Sequence, residues 1–236
     1  MSISFFKSTA WLIIAQTDML TKLILATIFF ASVACVAIII FKIITFRRHK
    51  QQLALLAEKL KQIKNFNEFV VLGKEFKESL GGRFIMANLS SLKLLLDTNI
   101  KKQGSGEATQ PVLTFQDVDT LELALNQSLT DLLLEEEMYL PVLGTSAAVG
   151  PLVGLFGTMW GLIQVFLEIS KERSADIATI APGIAEALIT ILGGLVVTIP
   201  AMIAFHYFSN DLRKFEYQLN HVGDKFLMMA RHSFLK

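Results

Sequence analysis

The stretch GPLVGLFGTMWGLIQVF, Gly150 to Phe166, has no charge, four glycines and a single hydroxyl, Thr158. It is the middle of a longer uncharged run, Pro141 to Leu167. Two further runs, Leu23 to Phe41 and Ala187 to Asn210, are also free of Asp, Glu, Lys and Arg. Each exceeds the roughly 18 residues that identify a membrane-crossing helix. The whole chain is 53% hydrophobic and 18% charged, against about 25% charged in an average soluble domain. Three such runs are hard to bury without lipid, because only helices and closed barrels satisfy their backbone there. The pattern predicts an all-α membrane protein: three transmembrane helices with long helical extensions, and no sheet.

The expected organisation follows from the charges between the runs. Residues 1–19 read as an amphipathic helix lying at the membrane surface, with Phe5, Phe6 and Trp11 on its apolar side. Residues 20–46 form span one, 47–137 a helical segment, 138–168 span two, 169–177 a short loop, 178–209 span three and 210–236 a final helix. Lys42, Arg47, Arg48 and Lys50 follow span one, and Arg213 and Lys214 follow span three. Basic residues favour the cytoplasmic side. This places the amino terminus in the periplasm and the carboxyl terminus and the long 47–137 segment in the cytoplasm. A formal net charge of +1 with no separate basic patch gives no sign of nucleic-acid binding.

Between the spans, Leu53, Leu56, Leu60 and Ile63 recur at helical spacing. A helix near 66–80 is expected to break at Gly81 and Gly82, and 83–102 to be helical again. The loop QGSGEATQP follows. Thr114 with Asp117 forms an acidic variant of the capping box. Val118, Leu121, Leu125, Leu129, Leu132 and Leu133 then mark one helical face leading toward span two. Pro141, Pro151 and Pro182 are candidate kinks, since each removes a backbone donor. On the last helix, Phe208, Leu212, Phe215 and Leu219 lie in a heptad-like seam. That seam either packs on the helices of its own chain or joins copies of the chain.

Hydrolytic and redox chemistry have no support. The four histidines make no metal-ligand pair at helical spacing, and no phosphate loop or GxSxG motif occurs. Neither a metal nor a cofactor is expected, and the chain does not read as an enzyme. Cys35, the sole cysteine, reads as core filler. The informative residues are instead sparse polar groups in apolar surroundings. Gly150 with Gly154, and Gly157 with Gly161, are small-xxx-small steps that let helices approach closely in lipid. Thr158 either bonds back to the carbonyl four residues earlier or faces a pore. Glu186 is the one acid of the third run's helix. It faces the bundle interior or water, or else snorkels to the interface. Thr190 follows it by about one turn. The uncharged runs of the first two spans carry no acid, so ion conduction needs one from another subunit.

The segments PVLGTSAAVGPLVGLFGTMWGLIQVF and IAPGIAEALITILGGLVVTIPAMIAF resemble the TolQ/ExbB family of inner-membrane motor subunits, over Glu137 to Phe208. The preceding half is similar in topology and length only. The resemblance implies a homo-pentamer in membrane lipid that encloses a dimer of single-span TolR/ExbD-type subunits, which bring the pore aspartate. It also implies a TolA- or TonB-type partner that spans the periplasm, and use of the proton-motive force for outer-membrane integrity and envelope constriction. The TolQ form is favoured by the short amino-terminal extension, and the ExbB form, which energises uptake, is the alternative. Thr158 and Glu186 fall on the family's pore residues. The family's second threonine corresponds to position 191, which is Ile here, with Thr190 one place earlier. A secondary transporter would show a repeat of spans, and a passive scaffold would use the seam alone. A MotA-type stator would have a fourth span.

Overall fold

A computed structural model describes residues 18–63, 65–102, 113–172 and 177–234. Among these residues there are six helices and no strand. They are α1 (Met19–Gln62), α2 (Phe66–Glu75), α3 (Leu80–Lys102), α4 (Phe115–Glu137), α5 (Leu140–Glu172) and α6 (Ile177–Phe234). Three of them, α1, α5 and α6, contain segments long and apolar enough to cross a membrane. The surface helix expected over 1–19, the QGSGEATQP loop and most of the loop between spans two and three lie outside the described residues.

The chain divides into two compact units. The apolar unit comprises Met1–Phe41 and Tyr139–Tyr207, and the second comprises Lys42–Met138 and Phe208–Lys236. In the second unit the periodic apolar faces meet one another. Leu53, Leu56 and Leu60 of α1 are buried, as are Val118, Leu121, Leu125, Leu129 and Leu132 of α4. Each such side chain contributes about 1.5–3 kcal/mol when fully buried. Thr114 caps α4 as its sequence suggests: the Asp117 N–H donates to Thr114 Oγ1 at 3.3 Å and the Thr114 N–H donates back to Asp117 Oδ2 at 2.8 Å.

Two expectations are corrected. The break between α2 and α3 falls at 76–79, and Gly81 and Gly82 sit in the first turn of α3. Ser79 makes the break, because its hydroxyl accepts the Gly82 N–H at 3.0 Å, as a helix-capping side chain does. Gly82 is there for space, since a Cβ would strike the carbonyl of Phe76. Pro141 does not kink a helix. It lies in the first turn of α5, where its missing N–H has no intrahelical partner to lose. The chain is turned before it, at Tyr139, whose φ is 74°. Pro151 and Pro182 do lie inside helices that continue through them.

Of the two packings open to the seam, the structure shows the one on the chain's own helices. Phe208, Phe215 and Leu219 are buried within the chain, and Leu212 is half-buried. The Phe46 ring of α1 stacks at 5.3 Å from Phe208 and 5.2 Å from Phe215, and Phe226 lies 5.5 Å from Phe69 of α2. Phe208, Phe215 and Leu219 thus serve the chain's own core. The heptad spacing specifies a helix face without specifying which helix covers it.

Candidate functional site

In the apolar unit, α6 presents Ala187, Thr190, Gly194, Val197, Ala201 and Ala204 as a buried stripe at three- and four-residue spacing. Small side chains dominate it because α5 runs close against it. A Cβ on Gly154 would lie 3.0 Å from Ile191 Cα, and one on Gly161 would lie 2.9 Å from Ala187 Cβ. Gly157 faces Thr190 Oγ1, 2.8 Å from where its own Cβ would be, and Gly150 faces Thr198. The same chain's α6 therefore covers all four glycines. Gly194, which spacing alone does not single out, makes the tightest approach to the α5 backbone from the α6 side. Its Cβ would lie 2.7 Å from the carbonyl oxygen of Gly150.

Three hydroxyls converge on the Glu186–Thr190 turn of α6. Thr158 Oγ1 lies 3.0 Å from the Gly154 carbonyl of its own helix and 3.2 Å from the Ala187 carbonyl of α6. One hydroxyl hydrogen is thus shared between back-bonding and an interhelical bond, and Thr158 itself is half-buried. Thr190 Oγ1 donates to the same Ala187 carbonyl at 2.7 Å and approaches the Gly154 carbonyl at 3.4 Å. The third hydroxyl is that of Thr21 in α1, which is buried and near enough to Glu186 to act on its carboxyl group.

Thr190 is 0% exposed, so it does not line a pore. One residue of register is about 100° of rotation on a helix, and position 190 points into α5 between Gly154 and Gly157. Ile191, at the family's threonine position, is half-buried. Glu186 is half-buried. Thr21, Asp18, Lys22 and Glu168 lie near enough to act on its carboxyl group. Thr21 carries no sequence signal, because a threonine opening an apolar helix usually bonds its own backbone.

A second polar cluster lies in the other unit. Lys42 of α1 is 3% exposed and donates to the backbone carbonyl of Glu136 in the last turn of α4, at 2.6 Å. Cations are favoured at that end of a helix dipole. His49 Nε2 is 3.2 Å from Glu136 Oε1. Burial raises the pKa of Glu136, but the His49 hydrogen bond and the charges of His49, Lys42 and Arg83 outweigh it and hold the carboxyl below its ordinary range. Arg83 in turn pairs with Glu135 at 2.5 Å, which raises the guanidinium pKa. Glu136 occupies the position where the Val118–Leu132 stripe would next call for an apolar residue.

No group of three or more His, Cys, Asp or Glu side chains suited to a metal occurs among the described residues. Residues 83–221 match the profile of the MotA/TolQ/ExbB proton channel family. The chain is 30% identical over 210 residues to the Tol-Pal system protein TolQ of Haemophilus influenzae, covering 85% of this chain and 89% of that one. It is 49% identical over 73 residues to TolQ of Pseudomonas aeruginosa, covering 31% of this chain and 32% of that one. It is 37% identical over 89 residues to the biopolymer transport protein ExbB of Pseudomonas putida, covering 38% of this chain and 27% of that one. The last two alignments thus span about a third of those proteins or less.

Proposed function

Since the chain belongs to the MotA/TolQ/ExbB proton channel family, we propose that it is the multi-span subunit of a proton-driven motor of the TolQ type. Five copies in the inner membrane would surround a dimer of single-span TolR/ExbD-type helices. Proton flow through that ring would energise a TolA-type protein reaching the outer membrane, for envelope integrity and constriction. The amino terminus would be periplasmic, with α2, α3, α4 and the last part of α6 in the cytoplasm. A unit charge crossing 100 mV releases about 2.3 kcal/mol, a scale suited to shifting helices in a ring.

The observation that carries this reading is the Thr158 hydroxyl on the α5–α6 seam. It is half-buried and divided between two carbonyls, so it can turn to a passing proton or partner group without leaving a buried acceptor unpaired. The 210-residue alignment with a TolQ protein supports the TolQ form over the ExbB form, for which the alignments are shorter.

The test is a set of single variants expressed with the one-span partner. Thr158→Ala is expected to assemble as the wild type does, yet to lose at least tenfold in proton-dependent envelope function. Thr158→Ser is expected to retain most of it. Full function in Thr158→Ala would sink the proposal. Dependence of iron-complex uptake, with envelope integrity unaffected, would transfer the assignment to the ExbB form.

A further inference from the structure

We propose that a cavity between α1, α5 and α6 is a binding site for the hydrocarbon chain of a phospholipid. It needs only that these helices cross a membrane, and stands apart from the proton-driven reading. The cavity measures about 170 Å³ and lies wholly within the apolar unit. Its cause is local. On α1 the buried residues Thr21, Ile24, Ile28 and Cys35 form one stripe at helical spacing. The position that would complete the stripe is Ala31, which is small and half-buried. The other walls include two residues without side chains, Gly150 of α5 and Gly194 of α6. A Cβ on Gly194 would strike the Gly150 carbonyl oxygen, so no larger residue can stand there. Three small residues around one space leave a gap that α1 does not close.

The chemistry of the walls selects the occupant. Ile28, Ala31, Val149, Val153 and Val197 present hydrocarbon. Thr27 spends its hydroxyl on the Leu23 carbonyl at 2.9 Å. The remaining hydroxyls, of Thr145 and Ser146, stand together toward the start of α5. Water needs two to four polar partners, and an apolar cavity of about 150 Å³ stays dry while taking up benzene or xenon. Depth narrows the choice further. Ala31 lies near the middle of the uncharged run Leu23 to Phe41, and Val153 near the middle of Pro141 to Leu167. The cavity is therefore at the level of the hydrocarbon core. Its rim is open, since Val149 is 44% exposed and Thr27 and Thr145 are exposed. An empty space there forfeits dispersion contacts on every wall, and a lipid chain recovers them. No charged side chain lines the cavity among the described residues, so it receives the chain and not the headgroup.

The experiment uses the whole chain with its single-span partner, reconstituted in phosphatidylethanolamine vesicles doped with a phosphatidylcholine that carries a diazirine midway along one acyl chain. After photolysis the adducts are located by peptide mass spectrometry. Ile28 and Val197 are buried from the surface, whereas Phe29 and Phe30 are exposed and report the surrounding lipid. Wild-type protein is expected to carry adducts at both pairs. Ala31→Leu fills the cavity and is expected to lower the adducts on Ile28 and Val197 about tenfold, leaving those on Phe29 and Phe30 unchanged. Ala34→Leu, on the exposed side of α1, is expected to change neither. Ala31→Val replaces the leucine variant if that variant does not assemble. Undiminished labelling of Ile28 and Val197 in the filled variant overturns the proposal. So does a wild-type assembly labelled at Phe29 and Phe30 alone, since the cavity is then closed by a neighbouring copy or filled by water.

Discussion

Gly194→Leu abolishes accumulation of folded protein, while Gly193→Ala, one residue away, leaves thermal unfolding in detergent close to the wild type. Both glycines are in α6, and both would gain helix propensity on substitution. Their surroundings differ. A Cβ at 193 meets Ile28 Cγ2 at 3.7 Å, an ordinary contact. A Cβ at 194 meets Gly150 O at 2.7 Å, Gly154 Cα at 3.2 Å and Gly154 N at 3.4 Å. All three are backbone atoms, so no side chain can turn aside. The helices must separate, which removes the Thr158 bond to the Ala187 carbonyl and the Thr190 approach to the Gly154 carbonyl at the same stroke. Even Gly194→Ala is expected to destabilise by about 2–3 kcal/mol, at the upper end for overpacking. Equal melting temperatures for Gly193→Ala and Gly194→Ala would show that α5 and α6 do not meet there.

Glu136→Ala is the second large effect, an expected loss of about 3 kcal/mol. Removing one member of a buried pair leaves the other charge without compensation, and here Lys42, 3% exposed, is left with a backbone carbonyl and the face of the Phe46 ring. Glu136→Gln keeps an acceptor for His49 and should lose less. The pH dependence has a definite sign. The folded carboxyl is held below its ordinary value of 4.5, so its contribution is present above that pH and is lost as pH falls through the lowered folded value. Thermal unfolding of the wild type and Glu136→Gln should therefore differ at neutral pH and converge in acid, where the carboxyl is protonated. A difference that persists unchanged into acid would contradict the pairing.

Much of the second unit is legible from spacing because each apolar stripe there is complete. Val118, Leu121, Leu125, Leu129 and Leu132 repeat at helical intervals, and Thr114 and Asp117 announce the helix start. Glu136 is not legible as a buried group, since a carboxylate at the end of a leucine stripe reads as solvated until Lys42 and His49 are brought to it by α1. The corner at Ser79 is hidden for a similar reason. Gly81 and Gly82 look like breakers, but a cap formed by the preceding serine lets them begin a helix.

The sequence by itself determined three membrane-length helices, an all-helical chain and a family, because uncharged length, periodicity and a long specific motif are local properties. Only the tertiary structure decided which face each helix turns inward. That choice placed Thr190 in the α5 contact, assigned the Phe208–Leu219 seam to the chain's own core, and brought Thr21 near Glu186. A helix repeats every 3.6 residues whatever lies beside it; what covers a given stripe depends on residues far away in the chain, and their approach distance is set by atoms as small as the missing Cβ of Gly194.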